Sequence, residues 1–177
     1  MSKLSMTRRA FLAAATTTAA MAVAQAPNTA KVVPRKVSPN EKLNVAGIGV
    51  GGKGFSDIMA CSGENIVAFC DPDWDRAAKA FDQMPNVKRF RDYRNMLEQM
   101  PEIDAVTIST PDHTHAPAAY MAMKMGKHVY VQKPLTHTVM ESRLLTLTAR
   151  ECGVATQMGN QGHSGNGVRE LCEMVAS

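Results

Sequence analysis

Between Lys42 and Gly159, short runs of apolar and β-branched residues alternate with stretches of helical character. This alternation constrains the fold more than any other feature. The runs are KLNVAGIG (42–49), NIVAFC (65–70), the weaker KRFR (88–91), DAVTIS (104–109), HVYVQ (128–132) and VATQM (154–158). Between them lie GFSDIMACSG (54–63), DWDRAAKAFDQM (73–84), YRNMLEQM (93–100), HAPAAYMAMKMG (115–126) and a long segment from about His137 to Glu151. Strands that are apolar throughout are buried on both faces, as in a parallel sheet covered by helices on each side. The spacing therefore predicts six strands and five intervening helices in a doubly wound α/β fold, strand order 3-2-1-4-5-6. In the long helix, Met140, Leu144 and Leu147 fall at i, i+4 and i+7, which predicts one buried face.

A chain of 177 residues holds one well-cored domain with little left over. Its 20 Lys and Arg outnumber its 16 Asp and Glu, but Lys3, Arg8 and Arg9 lie in the first 24 positions, which hold no acid. The remainder is nearly neutral, and no basic stripe is interleaved with aromatics. Nucleic acid is therefore not an expected partner.

The amino terminus reads as a targeting signal. MTRRAFLAAATTTAAMAVAQA has a basic start, an apolar run from Phe11 to Ala24 and a small-residue exit at Ala22-Val23-Ala24. The run is too short and too rich in Thr and Ala for a membrane span. Arg8-Arg9 before Ala10-Phe11-Leu12 resembles a twin-arginine export signal, with a general secretion signal as the alternative. Residues 1–24 are accordingly expected to be the signal, and residues 25–41, with three prolines and no apolar period, a linker. Export would place the protein in the periplasm, with no membrane association once the signal is removed. Cys61, Cys70, Cys152 and Cys172 form no CxxC pair and no metal-ligand spacing, so neither a disulfide nor a metal site is expected.

In a doubly wound sheet, ligands gather outside the carboxyl ends of the strands, so the residues that follow each strand carry the functional reading. After the first strand, Gly47, Gly49 and Gly52 match G-x-G-x-x-G, with Gly51 and Gly54 adding room. Gly47 permits the tight turn, Gly49 lets backbone approach a pyrophosphate, and Gly52 lets the helix close onto the strand. The helix then offers free N–H groups and its positive dipole end to phosphate. After the second strand comes Asp71, 24 positions past Gly47. A carboxylate there accepts both hydroxyls of an adenosine ribose and repels a 2′-phosphate, which argues for NAD over NADP. Arg76 keeps a 2′-phosphate contact open, while Asp73 and Asp75 read as helix-start residues.

After the fourth strand, Thr110-Pro111 leads to His113 and His115 at a helix entrance. No acid or cysteine accompanies this H-x-H pair, so His115 is read as lining a cofactor pocket and no metal is expected. After the fifth strand, Lys133 stands before Pro134, where the nicotinamide end should reach. An ammonium there can hydrogen-bond a substrate hydroxyl and exchange its proton. After the sixth, Asn160, Gln161 and His163 supply polar groups suited to a carboxamide or a sugar. Lys133 is thus the candidate catalytic residue. The candidate cofactor contacts are Gly47, Gly49, Gly51, Gly52, Asp71, Thr110, Pro111, His115, Lys133, Pro134 and Asn160.

Together, GIGVGGKG (47–54), CDPDWDRA (70–77), STPDHTHAPAAYMAMKMGKHVYVQKPL (109–135) and MGNQGHS (158–164) resemble the glucose–fructose oxidoreductase / inositol dehydrogenase (Gfo/Idh/MocA) family. The resemblance runs from about Leu43 to the end and points to an exported bacterial branch. It implies an NAD(P)-binding Rossmann domain over residues 42–160 and NAD(P)-dependent action on a sugar, a polyol or a derivative. The family's Glu-Lys-Pro appears here as Gln132-Lys133-Pro134, which retains the lysine and proline but not the carboxylate.

The resemblance also implies a second domain that covers the nicotinamide, supplies catalytic aspartate and histidine, and forms a homo-oligomer. Val168, Leu171, Cys172 and Val175 share one apolar helix face, so residues 161–177 read as the truncated start of that domain. Two alternatives accompany hydride transfer. One is redox-assisted glycoside cleavage, since a related branch resembles NAD-dependent α-N-acetylgalactosaminidases. The other is a nucleotide-binding module without activity of its own.

Overall fold

The computed structural model of the protein describes residues 33–177. The signal (1–24), Arg8-Arg9 and residues 25–32 of the expected linker lie outside the described residues. The sheet strands are β1 (Asn44–Ile48), β2 (Asn65–Cys70), β3 (Lys88–Phe90), β4 (Ala105–Ile108), β5 (His128–Gln132) and β6 (Thr156–Gly159). All pairings are parallel, in the order β3-β2-β1-β4-β5-β6. The helices are α1 (Lys53–Ala60), α2 (Trp74–Gln83), α3 (Tyr93–Gln99), α4 (His115–Lys124), α5 (Val139–Cys152) and α6 (Asn166–Ala176). The alternation of apolar runs therefore gives the doubly wound Rossmann architecture that the sequence predicts.

Successive residues of the central strands feed two cores, one on each face. Val45, Ile66 and Phe69 join Ile58 of α1 and Ala77, Ala80 and Phe81 of α2. Their neighbours Ala46, Ala68 and Cys70 join Met96 and Leu97 of α3, alanines of α4 and Leu145 of α5. Burying a side chain as large as Phe69 contributes roughly 2–3 kcal/mol. Local signals set the helix starts. Asp73 accepts from the Arg76 amide at 3.0 Å and Asp92 from the Arg94 amide at 2.9 Å. Thr138 and Glu141 form a reciprocal capping box, and α5 ends at Gly153 in the left-handed conformation.

One expectation about the sheet's far edge fails. Met140 and Leu147 are 82% and 63% exposed, and Leu144 also faces solvent. The inward stripe of α5 instead runs through Leu145, Thr148, Ala149 and Cys152. The helix carries two apolar stripes, and the one with smaller residues fits closely against α4. Thr148 is tolerated there because its hydroxyl donates to the Leu144 carbonyl at 2.8 Å. β6 is an edge strand with only Gly159 buried, and α6 has no buried residue.

The end of the expected linker is held against the domain. Arg35 Nε and Nη2 donate to the two carboxylate oxygens of Asp104, each at 2.7 Å, and Asp104 also accepts the Asn44 amide at 2.8 Å. The Arg35 hydrogen bonds hold the Asp104 carboxyl below the usual range, with the Asn44 amide adding to the effect. All four cysteines are free thiols. Among the described residues, no helix is long and apolar enough to cross a membrane.

Candidate functional site

The chain leaves β1 through Gly49, with φ 77°, and enters α1 through Gly52, with φ 55°, both in the left-handed region that favours glycine. The Gly49 amide donates to the Cys70 carbonyl at 2.7 Å, tying the turn to the end of β2. A Cβ on Gly49 would lie 2.9 Å from the Ser109 carbonyl, so the loop also packs on the end of β4. The closest approach is at Gly54, where a Cβ would stand 1.8 Å from the Gly49 carbonyl oxygen. Gly54, rather than Gly52, therefore lets the helix close on the loop. In the first turn of α1 the Gly54 amide donates to the Gly51 carbonyl at 3.0 Å, and the other N–H groups there have no intrahelical acceptor.

Asp71 is buried and organises the loop. Its Oδ2 accepts the Val50 amide at 2.9 Å and the Gly51 amide at 3.2 Å, and its Oδ1 accepts the Asp73 amide at 3.0 Å. The carboxylate that the sequence assigns to a ribose thus already holds three backbone donors, with Oδ1 the less engaged oxygen. Cys70 beside it is driven up to about 12 by burial, with the Asp71 charge adding to the shift.

Past β4, the His115 ring is 1% exposed and sits between two carbonyls. Its Nε2 is 2.8 Å from the Thr110 oxygen and its Nδ1 is 2.7 Å from the Pro134 oxygen. The ring therefore bridges the β4 and β5 ends, and a neutral imidazole donates its one N–H to one of the two carbonyls. The Thr110 hydroxyl is buried with no hydrogen-bond partner among the described residues. An orphaned polar atom facing a cleft is where a ligand's polar group belongs.

Past β5, the Lys133–Pro134 peptide is cis and Lys133 is exposed. The Lys133 amide donates to Gln132 Oε1 at 3.1 Å, and the side chain has no ion-pair partner among the described residues.

These ends enclose one cleft of about 710 Å³. Gly49, Gly51, Asp71, Thr110, Pro111, His115 and Lys133 line it; Gly47, Gly52, Pro134 and Asn160 do not. Gly47 lies within β1, where a Cβ would meet Val50 at 2.6 Å. Asn160 is exposed beyond β6, and Gln161 donates to the Tyr130 hydroxyl at 2.7 Å. Among the described residues, no His, Cys, Asp and Glu group has the geometry of a metal site.

Sequence reasoning missed the wall beyond β3. Arg91, Asp92, Tyr93 and Arg94 line the cleft beside Arg76, whose stem covers Gly51. Arg91 stacks on Trp74 at 4.5 Å and donates to the Pro72 carbonyl at 2.7 Å. The strand-end rule applies to β3 as well and marks Arg91 and Asp92. A left-handed glycine turn, a free helix N-terminus, an unpartnered buried hydroxyl and a cation at the far end together fit a dinucleotide.

The family profile described as "Oxidoreductase family, NAD-binding Rossmann fold" (GFO_IDH_MocA) matches residues 42–160. The chain belongs to the Gfo/Idh/MocA oxidoreductase family. This Gfo/Idh/MocA domain is an NAD-binding domain. It is 39% identical over 145 residues to a glycosyl hydrolase family 109 protein of Shewanella sp. (strain W3-18-1), covering 75% of this chain and 31% of the relative. It is 36% identical over 135 residues to an alpha-N-acetylgalactosaminidase of Shewanella oneidensis, covering 69% and 29%. Among solved structures, it resembles a dehydrogenase from Chromobacterium violaceum, with TM-score 0.68 and 28% identity over 77% of this chain and 41% of that one. The chain thus spans about a third of the length of these curated relatives.

Proposed function

We propose that this domain serves hydride transfer between NAD and a sugar, polyol or derivative, with Lys133 as the proton-transfer residue. One observation carries the reading. Lys133 stands exposed, with no ion-pair partner among the described residues, on the same cleft as the glycine loop, and its backbone is fixed by the buried Gln132. The glycine loop at Gly49 and Gly51 and the first turn of α1 face the pyrophosphate, and Asp71 shapes that loop and offers Oδ1 to the ribose. Thr110 donates to the bound dinucleotide, and Lys133 hydrogen-bonds the substrate oxygen and relays its proton. Bound NAD supplies the hydride acceptor for the carbon that bears that oxygen.

A second reading is redox-assisted glycoside hydrolysis, favoured by the glycosyl hydrolase family 109 and alpha-N-acetylgalactosaminidase relatives. Incubating the full-length protein with NAD and a panel of sugars and glycosides separates the two. NADH accumulation supports net oxidation, and aglycone release without NADH supports hydrolysis. Tight NAD binding without either product would leave a nucleotide-binding module. We further propose twin-arginine export to the periplasm, on the strength of Arg8-Arg9, and a homo-oligomer.

A further inference from the structure

The most connected side chain of the rim is one that the strand-end rule does not reach. Asp57 projects from the middle of α1, and its side chain is 4% exposed. Its Oδ2 accepts from the Ser109 hydroxyl at 2.8 Å and from Gln132 Nε2 at 2.8 Å. Its Oδ1 accepts from Lys53 Nζ at 2.5 Å and from Gln161 Nε2 at 3.5 Å. One carboxylate thereby ties the glycine-loop helix to the ends of β4, β5 and β6.

The consequence falls on position 132. An ionised carboxylate only accepts, so the Gln132 amide must turn its NH2 to Asp57 and its oxygen the other way. That oxygen accepts the Lys133 amide at 3.1 Å. The direction of the chain of bonds Lys133 N–H to Gln132 to Asp57 is therefore set by Asp57.

We propose that Asp57 is the positioning residue for Lys133, acting through Gln132, and that position 132 must be an amide while Asp57 is ionised. This rests on the reading of Lys133 as the residue at the reactive end of the cleft. A carboxylate at 132 would still accept the Lys133 amide but would face Asp57 across the same short contact. The pair could keep its geometry only by sharing a proton. Lys53 is the charged group that faces Asp57 and lies on its own helix. Ser109, Gln132 and Gln161 face it from the other elements, and Gln161 also reaches the Tyr130 hydroxyl. Among the described residues the Cys61 thiol is a further titratable neighbour, donating to the Asp57 backbone carbonyl at 3.7 Å.

The test measures NAD affinity and melting temperature of the chain from about pH 5.5 to about pH 8, a range in which a carboxyl pair sharing one proton ionises. Both readouts should be nearly flat in the wild type. Gln132→Glu should bind NAD about tenfold more weakly at the upper end than at the lower, and its melting temperature should fall alongside. The double variant Asp57→Asn/Gln132→Glu restores one donor and one acceptor, so it should be flat again and recover the affinity. A Gln132→Glu variant as flat as wild type, or a double variant as pH-dependent as the single one, would overturn the proposal. If the wild type binds no NAD, the cofactor reading fails, and the melting curves alone still decide whether the pair is coupled.

Discussion

The Asp71 carboxylate accepts the Val50 amide at 2.9 Å, so the acid at the end of β2 is a brace for the glycine loop. Its other oxygen is left to meet a ribose. Asp71→Asn replaces one acceptor oxygen with an NH2 that faces backbone donors. A charge-assisted hydrogen bond contributes about 1.5–3 kcal/mol, so calorimetry should show NAD affinity reduced about tenfold to a hundredfold. Unchanged affinity would show that neither brace nor ribose contact matters.

Gly54, in the first turn of α1, and Gly63, just past its end, make a clean contrast. A Cβ at Gly54 would collide with the Gly49 carbonyl at 1.8 Å, whereas a Cβ at Gly63 meets nothing within 4 Å. Gly54→Ala should destabilise the domain by about 3 kcal/mol in denaturant unfolding. Gly63→Ala should change stability by less than about 1 kcal/mol.

Asp104 gives an acid limb to stability. Arg35 and the Asn44 amide depress its folded-state pKa, so its contribution is complete above the ordinary aspartate range, about 4. It is lost as pH falls through the depressed folded value. Asp104→Asn should lower the melting temperature at neutral pH by about 5 °C. The variant and wild-type curves should converge in acid. Parallel curves across the whole range would contradict the role of this pair.

The thiols should differ in reactivity. Cys172 is exposed, whereas Cys70 is buried with its pKa driven up to about 12. Alkylation followed by mass mapping should modify Cys172 first and leave Cys70 untouched until the protein unfolds. Early labelling of Cys70 would contradict the β2 packing.

The fold was legible because each central strand is apolar on both faces, a pattern that only a covered parallel sheet satisfies. The periphery was not. α5 offers two apolar stripes, and the choice between Leu144 and Leu145 is made by the surface of α4, not by periodicity. In the site, the glycines after β1 and Lys133 after β5 could be read because chemistry there sits next to strand ends in sequence. Asp57 could not, since it lies inside a helix and reaches Gln132 across 75 positions of chain. Arg91 was readable but passed over, because β3 is only three residues long. Asn160 follows a strand as the rule asks, yet β6 is the sheet edge and the residue faces solvent.

Titration of NAD into the chain by calorimetry tests the central claim most directly, with Lys133→Met and Asp71→Asn run in parallel. A single saturable isotherm is predicted for the wild type, weakened in both variants, since both line the cleft that the strand ends enclose. No detectable heat of binding to a folded wild-type chain, or an isotherm indifferent to both substitutions, would contradict the placement of the cofactor in this cleft.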